Sequence, residues 1–530
     1  QGGVTYPDGS FVTTVNGLSI PNQICGAAVG NVESDIVAIQ QQYQAATVAA
    51  GPQANGAFFG ASNTTANTGS MFAPNFRTPY SVQMNAGVQR ELRPGTVLSV
   101  DYLRNVGLHT LLGVDQNHVG DARYLDTTAA TNAITTTNAA FGCPAGPGGI
   151  NCAIGSGLPS SCALAADGIT PLAGAHLCDF SANGIGGGIN ATGAFPTTGP
   201  GLPPNSVAFA GINPNFGQIL LLEPGGRSVY NALQVVLRSD VKSPIRYITH
   251  LNTQISYSLS RFNAQATDGD FVNSALDFRD PGKYIGPNSL DRTSQLSGGV
   301  VMDLPKGFRL DFITHWYTAL PQTITFATNG VAEDILQTDT NGDGQPGVAP
   351  IPGTQVGSFG RGIKADDINN ALTKYSNAFG NQLTPAGQAL VAAGLFTQDQ
   401  LTTLCAVTPS LNPPPGCAAQ YSNLQIPTAP RNQVGNGALF TFDMTLGYSF
   451  HPIRRWESFR IEPQVRFFNL FNHPTYNGPD NLLNGVLDGS VGSVANTTKA
   501  DRFSFQNGLG SGTFAQGAPR VIEFGGRISF

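Results

Sequence analysis

Charged residues are scarce in this chain. Asp, Glu, Lys and Arg make up 11% of the 530 residues, against about a quarter in typical soluble domains. The balance is acidic, with 27 Lys and Arg against 33 Asp and Glu and a formal net charge of -6. Nucleic-acid binding depends on basic surfaces that neutralise phosphates. We therefore expect no nucleic-acid partner.

Long apolar runs are also lacking. No stretch of 18 consecutive apolar residues occurs, which excludes a membrane-spanning helix by sequence. A membrane β-barrel remains compatible with this sequence, because its lipid-facing residues alternate with inward-facing ones and dilute the hydropathy signal. The 65 glycines and 36 prolines suit polar, turn-rich loops between strands better than a helical bundle.

Signatures of catalysis are missing. The sequence has no Walker loop, no H-E-x-x-H and no G-x-S-x-G. The glycine-rich segment 184–188 follows no predicted strand and precedes no predicted helix, so we predict a flexible loop and not a phosphate cradle. The seven histidines are scattered, and His250 and His315 are predicted to be polar lining of a lumen. We expect no enzyme.

The amino-terminal part shows little pattern. The chain begins at Gln1 without an initiator methionine or the basic and apolar segments of a signal peptide. We expect that such a peptide was removed or that the chain is part of a longer protein. Residues 1–75 are predicted to be an irregular segment with one short helix at 34–48 and a polar loop at 63–70. The rest, 76–530, is predicted to be one β-rich unit.

Strict alternation of apolar and polar residues dominates that unit. In the last segment, Ile522, Phe524, Ile528 and Phe530 share one parity, and Glu523, Arg527 and Ser529 share the other. A strand places these two sets on opposite faces. A barrel with lipid outside and water inside needs this pattern, although the edge strand of a soluble sandwich also shows it. Nine such segments are predicted, at 80–89, 98–102, 231–237, 249–259, 296–304, 308–316, 440–450, 459–471 and 521–530.

The connections between these strands alternate in length. Short ones near Pro94, Val241, Lys306 and Arg454 alternate with long loops at 108–227, 263–289, 327–433 and 472–518. This is typical of outer-membrane barrels, which have short turns at one end and long loops at the other. The third long loop is predicted to contain helices at 367–379 and 384–393 and a capping box at Thr397 and Gln400.

The predicted fold is therefore all-β, an antiparallel transmembrane β-barrel with about nine strands in this chain. Single-chain bacterial barrels have even strand numbers. We expect the missing strands to come from 1–75, from a removed amino-terminal part, or from a second chain.

Seven cysteines lie outside the predicted strands. None forms a C-x-x-C pair with histidines at zinc spacing, so disulfides in an oxidising compartment are predicted. Proximity in sequence suggests Cys143–Cys152, Cys162–Cys178 and Cys405–Cys417, which leaves Cys25 over.

One segment has the pattern of a calcium loop. Asp339, Asn341 and Asp343 provide oxygen ligands at positions 1, 3 and 5, and Gly344 is at position 6. Position 12 is Pro350, which offers no carboxylate; Glu333 or Asp334 is a candidate substitute. The alternative is a tight polar turn held by Asx hydrogen bonds. Calcium is the one cofactor that the sequence suggests.

The segment 467–474 reads FFNLFNHP and resembles the penultimate strand of TonB-dependent outer-membrane receptors, which carries Asn-Leu-Phe-Asn. The segments 230–234 (YNALQ), 291–292 (DR) and 383–387 (LTPAG) resemble the Oar-like branch of that family. The terminal 520–530 is similar to the strand that the barrel assembly machinery reads, with Phe524, Ile528 and Phe530 as the signal.

This resemblance implies a plugged, 22-stranded barrel, a TonB box and an amino-terminal carboxypeptidase-regulatory-like domain. None of these matches residues 1–75, so the resemblance covers the carboxy-terminal part of the barrel. It leads us to expect a receptor for ligand uptake in the bacterial outer membrane, with extracellular loops. Its expected partners are outer-membrane lipid, the missing amino-terminal half or second chain, and TonB through that part. The rivals are a structural or adhesive surface protein and a secreted hydrolase on a β-sandwich.

Overall fold

Nine long strands form one antiparallel sheet in the computed structural model. The structure describes residues 4–5, 11–25, 27, 29–50, 71–165, 168–187, 207–213, 218–265, 273–360, 364–426, 428, 438–452, 459–473, 482–483 and 520–530. The strands are β1 (Tyr80–Arg93), β2 (Thr96–Asp115), β3 (Leu220–Ile245), β4 (Ile248–Ala264), β5 (Ser294–Asp303), β6 (Phe308–Tyr317), β7 (Leu439–Tyr448), β8 (Arg460–Phe468) and β9 (Val521–Ser529).

Each strand pairs with its neighbours in sequence, in the order β1 to β9. The number and the antiparallel arrangement are those predicted from the alternation. Three short strands, Met71–Phe72, Asn273–Ser274 and Gly286–Pro287, add to β3, β2 and β4. Among the described residues, β1 pairs only with β2, and β9 pairs only with β8.

The register keeps the two faces of the sheet separate. Residues directly opposite each other in a ladder lie on the same face. Leu237 is opposite Ile255, whereas Arg238 is opposite Gln254. The same parity continues to the last pair, where Val465 is opposite Phe524 and Arg466 is opposite Glu523. A one-residue slip along a whole ladder would exchange the faces. The register shifts that occur are local, at Glu91–Arg93, Glu223–Arg227 and Lys242–Ile245.

Two strands are longer than the alternation pattern predicted. β2 continues to Asp115 and β3 begins at Leu220, so the predicted loop at 108–227 is shorter at both ends. Pro224, Gly225 and Gly226 concealed the start of β3, because such residues normally end a strand. In the structure they form an irregularity, with register shifts on either side of Gly226.

Two of the predicted short turns are tight and well formed. Gly95 (φ +76°) lies between β1 and β2, and its carbonyl accepts the Asp240 N–H at 2.7 Å. Lys306 and Gly307, with φ +65° and +87°, turn the chain between β5 and β6. The β3–β4 turn lies at 246–247, slightly beyond the predicted Val241. The turn at Arg454 lies outside the described residues.

The first long connection contains helices, although it was predicted to be irregular, and the third contains helices as predicted. The first holds α2 (Thr127–Ala140), α3 (Ile150–Ile154), α4 (Leu177–Ala182) and the strand pair Pro159–Leu164 and Pro171–Ala173. The third holds α5 (Ala365–Phe379), α6 (Pro385–Ala392), α7 (Gln398–Thr403) and α8 (Cys417–Gln420). α6 and α7 begin at the predicted caps: the Thr384 side chain accepts the Gly387 N–H, and Thr397 and Gln400 form a capping box. Most of 472–518 lies outside the described residues.

The amino-terminal segment contains the predicted helix, α1 (Glu33–Ala50). Two small strand pairs precede it, Val4–Thr5 with Phe11–Val12 and Thr14–Val15 with Leu18–Ser19. Val15, Ile20, Ile24 and Val32 form a small core.

The remaining short strands pair Pro321–Gln322 with Phe359–Gly360 and Thr325–Phe326 with Leu482–Leu483. Single helical turns lie at Ile20–Ile24, Val29–Asn31, Pro147–Gly149, Pro305–Gly307, Ala332–Leu336 and Ser422–Leu424. The polar loop at 63–70 lies outside the described residues.

Candidate functional site

One face of the sheet, here called the polar face, is lined by hydrogen-bonding and charged side chains. The parity that Gln254 and Asp311 occupy is polar on almost every strand. Such a continuous polar wall does not make a protein core, because buried polar groups need partners. Its members include Asp101, Gln234, Arg238, Asp240, His250, Asn252, Gln254, Ser256, Asp303, Arg309, Asp311, His315, Asp443, Thr445, Arg466 and Glu523.

Many charges on the polar face are paired across or along the strands. The His250 ring lies between two carboxylates, 2.7 Å from Asp240 and 3.3 Å from Asp303. Arg309 contacts Asp311 at 3.0 Å. Further along the sheet, Arg466 lies 3.6 Å from Glu523, and Arg460 pairs with Glu462. The polar face therefore presents fixed charges of both signs to solvent.

The opposite face, here called the apolar face, carries large hydrophobic side chains that remain exposed. Phe524 is 79% exposed and Ile528 61%. A soluble domain rarely leaves so large a contiguous apolar surface uncovered. Lipid contact explains it. Other exposed members are Val82, Met84, Val88, Tyr102, Leu233, Ile255, Leu259, Trp316, Leu446 and Ile522.

Two long connections fold together into one body, here called the loop assembly, formed by described residues of 116–213 and 318–426. The rings of Phe180 and Phe396, one from each connection, meet edge to face with centroids 5.5 Å apart. The Cys178 N–H donates to the Tyr421 hydroxyl at 3.2 Å, and burial raises the pKa of that hydroxyl. Ile134, Leu177 and other fully buried side chains of the same core surround these contacts. The assembly thus has a hydrophobic core of its own.

Three disulfides brace the loop assembly, and they are the three pairings predicted. Cys143 is bonded to Cys152, Cys162 to Cys178, and Cys405 to Cys417. Cys25 is free and exposed. Beside the second disulfide, the buried carboxylate of Asp179 accepts hydrogen bonds from Ser160, Ser161 and the His176 N–H, at 2.6–2.9 Å. This carboxylate fixes the hairpin at 159–173 against α4.

Arg279 connects three loops at the base of the assembly. Its Nε donates to the Asp121 carboxylate at 3.0 Å, and its Nη1 donates to the Asn341 carbonyl at 3.0 Å. Arg123 also donates to Asp121. Burial raises the pKa of Asp121, but the hydrogen bonds from Arg279 and Arg123 outweigh it and lower that pKa overall. Asp121 is therefore ionised and forms part of a buried charge network.

The prediction for the glycine-rich segment 184–188 was wrong. The segment 184–188 was predicted to be a flexible loop, but Gly186 and Gly187 lie inside the assembly. A Cβ at Gly186 would approach the Ala332 carbonyl oxygen within 2.5 Å, and one at Gly187 would lie 2.9 Å from Phe209. Gly186 lies where the two connections approach each other closely, and Gly187 packs against Phe209 of its own connection. Gly188 lies outside the described residues.

In the described part of the chain, none of the helices is long and apolar enough to cross a membrane. The sequence matches the family described as "Outer membrane beta barrel domain" over residues 3–506. This chain belongs to the outer membrane beta barrel domain family. Its place is therefore the outer membrane, which agrees with the separation of a lipid-compatible apolar face from a polar face.

Among solved structures, the chain is similar to the outer membrane transporter YddB from Escherichia coli. The identity is 8% and the TM-score 0.31; the match covers 77% of this chain and 31% of that transporter. The chain thus matches less than a third of the transporter's length. A search of curated proteins gave no match.

The predicted calcium residues lie in a buried turn of the loop assembly. Asp339 accepts the N–H groups of Gly342 and Gly344, at 2.8 and 2.9 Å. Asp343 accepts those of Phe278 and Gln345, at 2.6 and 2.9 Å. These bonds match the Asx-turn alternative, and the positive charge of Arg279 lies on the same turn. The calcium site remains a prediction, for which Asp339, Asn341 and Asp343 would be the ligands.

Burial perturbs the acids of this region. Burial, and next the neighbouring Asp343 carboxylate, raise the pKa of Asp339. Burial also raises the pKa of Glu333, to about 7, and that of Asp334. Asp334 accepts backbone N–H groups from Gly330 and Val331, so this acid also shapes a loop. The Asp334 carbonyl accepts the Thr338 N–H at 2.7 Å, one residue before Asp339.

The remaining predicted residues of the strands lie on the faces that the alternation predicted. Phe524 and Ile528 of the predicted assembly signal are on the apolar face of β9, and Phe530 ends the chain 95% exposed. His250 and His315 lie on the polar face; the His315 ring is 3.1 Å from the Ser297 hydroxyl. Sequence reasoning missed Asp121, Asp179 and Arg279, since no local motif marks a contact between distant loops.

Proposed function

We propose that this barrel domain is the carboxy-terminal part of a TonB-dependent, Oar-like receptor that binds a ligand and admits it through the outer membrane. The observation that carries the proposal is a predominantly polar face that continues over nine strands, opposite an exposed apolar face. A wall of this kind lines a water-filled passage when the sheet is closed. The Asn-Leu-Phe-Asn segment at 469–472, which directly follows β8, supports the assignment to this receptor family.

The loop assembly is proposed to face the outside of the cell. It lies on the connections opposite the short turns, and long loops of outer-membrane barrels are extracellular. A test is labelling of intact cells with a membrane-impermeant maleimide, in a Cys25→Ser background. Cysteine at Asp399, on the exposed surface of α7, should react, and cysteine at Lys306 in a short turn should react only after permeabilisation. The reverse pattern would refute this orientation.

Further strands are proposed to close the sheet. β1 and β9 each have one edge that pairs with no strand among the described residues, and open edges are not compatible with a lipid environment. We propose that an amino-terminal half or a second chain completes the barrel and carries the plug and the TonB contact. Mass spectrometry of the intact particle tests this. A closed barrel that contains only this chain would refute it.

The second candidate is an adhesive surface protein without transport. The disulfide-braced loop assembly favours it, because a rigid, protease-resistant surface suits extracellular contacts. Electron microscopy of the extracted particle separates the two: a plugged barrel supports uptake, and assemblies that join particles through their loops support adhesion.

A further inference from the structure

A depression of about 380 Å³ lies at mid-height on the polar face. Two adjacent rows of side chains line it. One row runs across β4 to β7 as Gln254, Gly299, Ile313 and Asp443, and the next contains Asn252, Asp311, Thr445 and Arg466. Its volume is within the range of small-molecule sites.

Gly299 creates the floor of this depression. Neighbouring strands lie about 4.8 Å apart, so side chains in one row normally touch. At Gly299 there is no side chain, and a Cβ placed there would meet no atom within 4 Å. Gln254 and Ile313, which flank Gly299 in the row, are therefore separated by open space.

The charge inside the depression is negative. Asp311 is paired with Arg309 and Arg466 with Glu523, so these four charges balance. The Asp443 carboxylate accepts the Asn469 N–H at 2.7 Å. Among the residues that the structure describes, no Lys, Arg or His nitrogen comes within 4.0 Å of it. Asp443 is thus the unbalanced charge of the site.

Apolar groups lie beside this carboxylate. Ile313 is 51% exposed although it belongs to the polar face, and Val301 and Phe468 also line the depression. Burial of these apolar side chains under the body of a ligand would be favourable. Asn252 and Gln254 add hydrogen-bonding groups at the side opposite Asp443.

From these features we infer that the depression binds a small organic cation, a protonated amine on an apolar body, with the amine at Asp443 and the body on Ile313. The inference deepens the proposed function and rests on it, since the polar face must be open to solutes. A charge-assisted contact of this kind contributes about 1.5–3 kcal/mol, which corresponds to about tenfold or more in affinity.

The test uses 2-phenylethylammonium as the probe, with 2-phenylethanol and 3-phenylpropanoate as neutral and anionic comparisons. Binding to the full chain in detergent is measured calorimetrically and corrected for detergent alone. The ammonium should bind at least about tenfold more tightly than the alcohol. Asp443→Asn should remove this preference, because it keeps an oxygen for the Asn469 N–H but loses the charge. Asp101→Asn, on the same face outside the depression, should retain it.

Gly299→Val provides an independent check, since its side chain enters open space and fills the site. It should abolish binding of all three probes, and it decides the matter if Asp443→Asn does not fold. Equal affinity for the ammonium and the alcohol, or unchanged binding by either site variant, would overturn the inference. Electron microscopy of the wild-type particle tests the passage separately: a sheet that does not close around a lumen counts against uptake, whatever the probe binding shows.

Discussion

Arg279 and Asp121, 158 positions apart, form a paired contact in which two guanidinium nitrogens donate to the two carboxylate oxygens. The pair joins the connection after β2 to the connection after β4, and the same guanidinium reaches carbonyls of the connection after β6. Three loops that are distant in sequence are held at one point. The Asp121 side chain is fully buried, so the contact is sensitive to loss of either partner.

Arg279→Ala should destabilise the loop assembly. Removal of one partner of a buried pair leaves an uncompensated charge and costs about 3–5 kcal/mol. Arg123 still contacts Asp121, so we expect the lower end of that range. The measurement is the denaturant dependence of protease resistance of the loops. Arg309→Ala, which breaks a largely exposed pair on the polar face, should cost about 0–1 kcal/mol; equal effects of the two variants would contradict the role given to Arg279.

Loss of a disulfide should loosen the same body. The double variant Cys405→Ala, Cys417→Ala opens a link across 12 positions, and closure of a loop of this size stabilises by about 2–4 kcal/mol. We expect earlier proteolysis within 398–420 on heating, with the barrel strands unaffected. Cys25→Ala is the matched control because this cysteine is free, and it should behave as wild type. Identical melting of both variants would show that the bond is dispensable.

Alternation alone could predict the sheet, because each polar or apolar position of a membrane strand is decided by its own face. The disulfides could also be predicted from the sequence, because the partners of each bond are close in sequence. The beginning of β3 was hidden by Pro224, Gly225 and Gly226, whose local preference opposes a strand and is overridden by the ladder to β2 on both sides of them. The Arg279–Asp121 contact and the Gly299 depression depend on which strands and loops become neighbours, and no local pattern encodes that.

Stability of the loop assembly should fall as pH rises from about 4.5 to about 7. Burial raises the pKa of Glu333 from 4.5 to about 7, so the folded protein holds a proton that the unfolded chain releases earlier. In that pH window the unfolded state binds fewer protons, and the free energy of unfolding decreases with pH. Asp334, whose pKa is also raised, acts in the same direction.

The measurement is the melting temperature at pH 5 and pH 8. Wild type should melt at a lower temperature at pH 8, and Glu333→Gln should reduce this difference because the amide stays neutral. A variant whose pH dependence equals that of wild type would contradict the assignment to Glu333.

A charge on the apolar face should oppose membrane insertion, while the same charge on the polar face should not. Ile255 and Ser256 are adjacent in β4 and lie on opposite faces, opposite Leu237 and Val236 of β3. Ile255→Arg places a guanidinium in hydrocarbon, which costs about 2–4 kcal/mol near the middle of a bilayer. Ser256→Arg places it in the wet space, where we expect almost no cost. Urea titration of the protein folded into lipid vesicles measures both. If Ser256→Arg were the more damaging variant, the faces would be assigned the wrong way round; if neither variant differed from wild type, the sheet would not separate lipid from water.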